Sequence, residues 1–237
     1  MKKIGNTGSF KKFYLNDQIY VDKTEYIYNL INNEARVFIS RPRRFGKSLT
    51  LDTIATLFET GVEPYFKGTW IYDKWTEPTY PVFRLSFLNL DNFSLDEFKS
   101  ELNSKITDFA NKISVKGYVE KSEPENSIEG LLERLREENR QIVILIDEYD
   151  YQLTSNINKD DLYKQFQHKI KRFYANIKDK FAIKFLGITG VTRLKDVAIF
   201  SVGSDIRDIT NSSAYSQMIG FTRDEIKKYC YERDHVK

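Results

Sequence analysis

The sequence predicts an α/β fold in which a mainly parallel sheet lies between helical layers. Three observations predict it. Short β-branched and aromatic runs alternate with segments whose apolar residues recur at helical spacing, the pattern of strands joined by crossover helices. The run Ile142 to Ile146 is apolar throughout, as a strand buried on both faces must be. A stretch rich in arginine and closed by glycine, residues 40–48, falls between a strand pattern and a helix pattern.

Residues 10–21 form a short lead-in carrying Tyr14, Leu15, Ile19, Tyr20 and Val21. Asp22 is placed to cap a helix, with Glu25 three residues on as in a capping box, and Ile27, Leu30 and Ile31 give that helix its apolar face. Arg36 to Ile39 reads as a strand. A helix is expected from Lys47 to about Glu59, with Leu51, Ile54, Ala55 and Phe58 at helical spacing. Residues 60–80, rich in aromatics, glycine and proline, read as a short helix and loop. Pro81 to Phe87 reads as a strand. Ser94, with Glu97 after it, opens a helix lined by Leu95, Phe98, Leu102, Ile106 and Phe109. The polar stretch from Lys116 to Asn126 is a loop, and Ser127 opens the next helix through Leu131, Leu132 and Leu135. After the apolar strand ending at Asp147, a helix over about 160–178 carries Leu162, Phe166, Ile170 and Phe173. Phe181 to Ile188 is the next strand, closed by Thr189 and Gly190. Thr222 and Glu225 cap a final helix.

The chain has 237 residues, 41% hydrophobic and 30% charged, which suits one globular α/β domain over 1–237. Cys230 is the one cysteine, so neither an intrachain disulfide nor a cysteine zinc site can form; it is expected to be partly buried on a late helix. His168 and His235 are too few for a histidine metal cluster. No apolar run follows the first lysines, and the longest apolar run is far too short to span a bilayer. A cytoplasmic protein without membrane association is expected. The net charge of +3 is weak support for nucleic-acid binding, because the one dense basic cluster, Arg41, Arg43 and Arg44, lies inside the motif below.

That motif is the segment from Ser40 to Ser48. A phosphate loop reads G-x-x-x-x-G-K-[ST] between a strand and a helix, and Gly46, Lys47 and Ser48 match it, with Arg41 where the first glycine stands. The residue types suit a phosphate: N–H groups at a helix start point at an anion that the helix dipole also favours. Glycine permits close approach of the backbone. Lys47 sets a cation on the β- and γ-phosphate oxygens, and Ser48 offers a hydroxyl to Mg²⁺. The candidate nucleotide-binding residues are therefore Arg43, Arg44, Phe45, Gly46, Lys47, Ser48 and Leu49.

Such a loop needs a second strand that delivers a carboxylate to the metal. Ile142 to Glu148 (IVILIDE) supplies it: Asp147 as metal ligand with Ser48, and Glu148 as general base for the attacking water. About a hundred residues separate the motifs, room for the strand at 81–87, and an inserted strand is the mark of the additional-strand, hydrolysing branch of P-loop proteins. Thr189, at the end of the following strand, either holds the attacking water or senses the γ-phosphate, or simply caps its strand. Arg193 reads either as an arginine finger or as a structural arginine.

With these motifs placed, the chain resembles the predicted AAA-ATPase-like family of bacterial proteins. The matching pieces are Tyr20-Val-Asp-Lys-Thr24, the S-R-P-R-R-F-G-K-S-L run at 40–49, V-I-L-I-D-E-Y at 143–149, Thr189-Gly-Val191, and Phe221-Thr222 after Ile219-Gly220. The resemblance covers about residues 13–229. It implies a three-layer α/β/α P-loop NTPase of the additional-strand, AAA-like branch, binding ATP or ADP with Mg²⁺, with Lys47, Glu148 and Thr189 in catalytic roles. It places Tyr14 to Lys23 just before the nucleotide loop, a candidate adenine-contacting segment. The family carries the same arginine in place of the first loop glycine. Many members continue into a lid and a PD-(D/E)XK-type nuclease-like domain, parts this chain is expected to lack, and these or a protein partner would be its contacts. Many members show D-E-Y-D-x-P; Gln152 stands at the proline, which should alter the loop after the acidic strand.

Four readings compete: an Mg²⁺-dependent ATP hydrolase; a nucleotide switch with little turnover, favoured by Arg41; a kinase-like transferase, disfavoured by Glu148; and a nucleic-acid module built on the loop arginines and on Lys164, Lys169, Lys171 and Arg172.

Overall fold

The computed structural model describes residues 3–5, 7–177, 181–193 and 205–231. The chain enters through β1 (Lys3–Ile4), α1 (Phe10–Leu15) and β2 (Gln18–Ile19), the two short strands pairing in parallel. The lead-in thus holds a helix, because Phe10 and Phe13, one turn apart, are both buried on one face, and the Phe10 N–H donates to Asp52 at 2.6 Å. Helix α2 (Thr24–Asn33) follows. Its N-cap is Lys23, and no side-chain cap forms, so the capping box expected from Asp22 and Glu25 is absent. Asp22 is committed elsewhere: one carboxylate oxygen accepts from the Thr24 N–H and hydroxyl, the other from the Trp70 N–H at 2.6 Å.

The main sheet begins with β3 (Arg36–Ser40), which leads through the phosphate-loop segment into α3 (Lys47–Thr60). Residues 62–75 form consecutive turns and no regular helix, correcting the short helix expected there. Phe66, Ile71 and Trp75 are buried by these turns. Strand β4 (Val82–Ser86) and α4 (Leu95–Lys112) come next, and Ser94 caps α4 by accepting from the Glu97 N–H. Helix α5 (Pro124–Glu137) starts ahead of Ser127, with proline in its first turn, where a missing N–H costs nothing. Ser127 is instead internal, its hydroxyl tied to the Lys121 backbone. Strand β5 (Ile142–Asp147), α6 (Tyr151–Ser155), α7 (Asp160–Asn176), β6 (Ile183–Gly190) and the short β7 (Arg207–Asp208) follow. Helix α8 (Arg223–Ile226) carries the expected capping box of Thr222 and Glu225 and runs into a π-helical turn, 227–231. The side chain of Cys230 and all of His235 lie outside the described residues.

The five-stranded sheet runs β4-β5-β6-β3-β7, and every pairing is parallel. The strand between the two motif strands in the chain, β4, is an edge strand. The one between them in space is β6, which follows both motifs in the chain. Alternation along the strands sends side chains to two cores. Ile142, Ile144, Ile146 and Ile188 pack against α4, α5 and α7 through Leu102, Leu131 and Phe166. Val37, Ile39, Val143 and Leu145 pack against α3 through Ile54 and Phe58. Helices thus cover both faces, giving the three-layer α/β/α sandwich with the additional strand inserted. Registers align the strand tips: Ser40 lies opposite Gly190 and Ser86 opposite Asp147. No helix among the described residues is long and apolar enough to cross a membrane.

Candidate functional site

The site forms where β3, β5 and β6 end together. After Ser40 the chain turns through Arg44 and Gly46, both at positive φ (66° and 94°), and enters α3 at Lys47. A side chain on Gly46 would meet nothing within 4 Å, so glycine is required here by the left-handed backbone and not by space. The result is a cradle: among the described residues, none of the N–H groups from Arg43 to Ser48 has a protein acceptor. Consecutive free donors at a helix start form an anion site.

Lys47 is buried, and its Nζ donates back to the carbonyls of Arg41 (2.9 Å) and Pro42 (3.0 Å). Burial pushes its pKa down, while Asp147, Glu148 and Asp150 pull it back up. Ser48 Oγ donates to Asp147 Oδ2 at 2.5 Å. The other carboxylate oxygen of Asp147 accepts from the Thr189 hydroxyl and, at 3.1 Å, from the Glu148 N–H. Residues 99 positions apart in the chain, Ser48 and Asp147, therefore touch across the intervening tip of β6. A hydroxyl beside a carboxylate is an all-oxygen, hard donor set, and it fits Mg²⁺.

Glu148 turns back at φ 52°, an unfavourable conformation for a side chain with a Cβ. Its Oε2 is buried with no partner among the described residues. Burial first, and the adjacent Asp147 carboxylate second, hold its carboxyl above the ordinary value of 4.5. An unpaired carboxylate beside a metal-type site is poised to accept a proton.

The remaining expected residues fall as follows. Thr189 is buried with its hydroxyl on Asp147, so it orients that carboxylate. Arg43, Arg44 and Phe45 are exposed, with the Arg43 charge close enough to act on Lys47 and Glu148, and Leu49 packs at the edge of the α3 core. Arg41 turns away from the cradle: Nη1 donates to the carbonyls of Ser40 (3.0 Å) and Thr210 (2.5 Å). Arg193 pairs with Asp208 of β7 at 2.8 Å. In the segment from Tyr14 to Lys23, Tyr20 packs on Phe10 and Phe13, and Lys23 is paired with Glu225 at 2.5 Å. On α7, Lys169 and Arg172 are committed to the buried Glu125, which leaves less of a basic face for nucleic acid.

Sequence reading assigned no contact to two residues. Asp150 is buried, and its carboxylate accepts from the N–H groups of Val191 and Thr192 and from the Thr192 hydroxyl, clamping the end of β6 to β5. Its signal was the second aspartate of the D-E-Y-D string. Gln152, at the proline position, donates from Nε2 to the carbonyls of Phe87 (2.7 Å) and Leu90 (3.2 Å), fastening α6 to the turn after β4; nothing in the sequence marked that contact.

A family model described as Predicted AAA-ATPase matches residues 4–200. The chain is similar to a protein of Azotobacter chroococcum mcd 1 called "Uncharacterized protein in vnfD 5'region", 32% identical over 216 residues that make up 89% of this chain and 41% of that protein. The chain spans about two-fifths of the length of that relative. No solved structure gives a significant match.

Proposed function

The chain belongs to the predicted AAA-ATPase family, and from that premise we propose that it binds ATP or ADP with Mg²⁺ at the 43–48 cradle and hydrolyses ATP there. One observation carries the reading: Ser48 and Asp147 meet at 2.5 Å beside a loop of unpaired N–H groups. In this reading Arg43 to Ser48 hold the phosphates through the backbone, with Leu49 behind them. Lys47 leaves its loop carbonyls to lie against the β- and γ-phosphate oxygens. Ser48 and Asp147 would hold Mg²⁺, and the ion would supply positive charge to the phosphates. Thr189 orients Asp147, and Glu148 takes the proton of the attacking water.

Calorimetry with ATP and Mg²⁺ tests the site. Lys47→Ala should weaken binding by about 100-fold or more, since it removes a charge-assisted contact to phosphate. Glu148→Gln should keep binding and lower phosphate release by roughly 10²–10⁴-fold, the usual worth of a general base. Equal ATP affinity in wild type and Lys47→Ala would refute the reading.

A second reading, a nucleotide switch with little turnover, is favoured by the hold of Arg41 and Pro42 carbonyls on Lys47, which the nucleotide must displace. Tight binding without phosphate release by the wild-type chain selects it.

A further inference from the structure

The 43–48 cradle accounts for phosphate and metal but leaves a nucleobase without a contact. The segment 14–23, the sequence-based candidate for the base, spends Tyr20 on Phe10 and Phe13 and Lys23 on Glu225. The late Gly220-Phe221-Thr222 string has no part in the site so far. Phe45 brings the two together. Its N–H is one of the free donors of the cradle. Its ring reaches Gly220: Cδ1 stands 3.6 Å from where a Cβ on that glycine would be, ordinary van der Waals contact. Gly220 turns at φ 90°, and Phe221 follows it.

Phe45 is 48% exposed and Phe221 69%, and among the described residues neither ring pairs with another aromatic ring or with a cation. A single exposed apolar side chain is ordinary. Two phenylalanines at one glycine, beside a loop of free N–H donors, are a different case, because an apolar face adjoining an anion site matches the two ends of a nucleotide. The segment that carries Phe221 is fixed in place: Tyr215, Met218 and Ile219 are buried in the core that α3 covers, and Gln217 accepts from Tyr26 of α2. Rings held on a fixed segment cost little ordering when a ligand binds. The polar side chains that flank the glycine are spent on protein. Gln217 Oε1 is taken by Tyr26, Thr222 and Glu225 bond each other, and Glu225 also holds Lys23. The rings therefore offer stacking, with little beside them to read the edge of a base.

We propose that Phe45 and Phe221 are the base-binding platform of this chain, and that they hold a purine by stacking alone, so that adenine and guanine nucleoside triphosphates are accepted alike. The platform rests on the nucleotide reading above, since the phosphates on the cradle bring the base to it. Stacking tolerates any base because every base has a π-face. Selection of one purine over the other would need an unspent donor or acceptor at the base edge.

The test is calorimetry of ATP, GTP and inorganic tripolyphosphate, each with Mg²⁺, on the 237-residue chain and on Phe45→Ala, Phe221→Ala and Phe45→Trp. ATP and GTP should bind wild type within about fivefold of each other. Each alanine variant should weaken both by about fivefold or more, the usual worth of a base stacked on an aromatic ring, and leave tripolyphosphate affinity unchanged. Tripolyphosphate carries no base, so its retained binding also shows that the variant is folded. Phe45→Trp should keep nucleotide affinity, and the fluorescence it adds to that of wild type should be quenched by ATP and not by tripolyphosphate. ATP affinity unchanged in either alanine variant, or an added tryptophan that ATP leaves unquenched, overturns the platform while the cradle stands. A preference beyond about fivefold for either purine overturns recognition by stacking alone. If neither tripolyphosphate nor ATP binds wild type, the nucleotide reading itself fails and the platform goes with it.

Discussion

Glu148 shows how a single residue can be placed at the expense of stability. It combines a left-handed backbone, a buried oxygen without a partner and a neighbouring carboxylate. Its pKa is raised in the folded chain, so the protonated form favours the fold. The stability that protonation gives is fully present below the ordinary 4.5 and is lost as pH rises through the raised value. Glu148→Gln should therefore raise Tm at neutral pH, by an amount on the order of 2–4 °C if about 1 kcal/mol is relieved. The gain should vanish below about pH 4, and a pH series of thermal melts checks both halves. A Tm unchanged or lowered at pH 7 would count against the burial of an unpaired charge. The sequence identified the carboxylate; its left-handed turn and unpaired oxygen came only from the surrounding chain.

At the scale of elements, the site depends on β5 and β6 ending in register. Asp150 ties the end of β6 to the turn after β5, and Gly190 allows the close approach. A Cβ at Gly190 would sit 2.5 Å from the Tyr149 ring and 2.9 Å from Asp150 Oδ1. Tyr149 is fully buried, with its hydroxyl donating to the Thr192 carbonyl, so the ring has nowhere to go. Gly190→Ala should cost about 1–3 kcal/mol by overpacking. Asp150→Ala should cost about 1.5–3 kcal/mol, because it removes the hydrogen bonds that a buried carboxylate accepts from Val191 and Thr192. Urea denaturation measures both. Asp150→Ala within about 0.5 kcal/mol of wild type would show that the clamp is dispensable. The four longer strands, β3 to β6, were legible, because apolar runs bounded by turn residues leave little choice; the two-residue strands β1, β2 and β7 were not. The turn-rich stretch 62–75 and the true start of α5 were not. Buried aromatics fix the first, and a helix-opening proline outweighs a serine cap in the second.

Across the whole molecule, the early Y-V-D-K-T segment and the late helix α8 are bound to each other. Lys23 and Glu225, 202 positions apart, form a largely buried pair, and Glu225 also accepts from the Thr222 N–H. Tyr26 donates to Gln217 at 2.9 Å across the same seam. Phe45 lies within 3.6 Å of where a Gly220 side chain would stand, so the seam reaches the loop between β3 and α3. A double-mutant cycle of Lys23→Met and Glu225→Gln should give a coupling of about 1–3 kcal/mol near neutral pH. Burial alone would raise the Glu225 pKa, but the Lys23 and Thr222 hydrogen bonds bring it below 4.5. The coupling should therefore be complete above that value and fade as pH falls below it. A coupling that is absent at neutral pH, or that persists in acid, would argue against the pair as drawn.

The sequence by itself determined the chemistry on offer and most of the elements that carry it, because those follow from local periodicity, caps and short motifs: the cradle around Gly46, Lys47 and Ser48, the apolar strand ending in Asp147 and Glu148, and the α/β alternation. Only the tertiary structure decided which strand separates the two motifs and what Arg41, Arg193, Asp150 and Gln152 hold. The physical reason is range. Strand order and buried hydrogen bonds join residues tens to hundreds of positions apart, and their free energy depends on neighbours that no local pattern names.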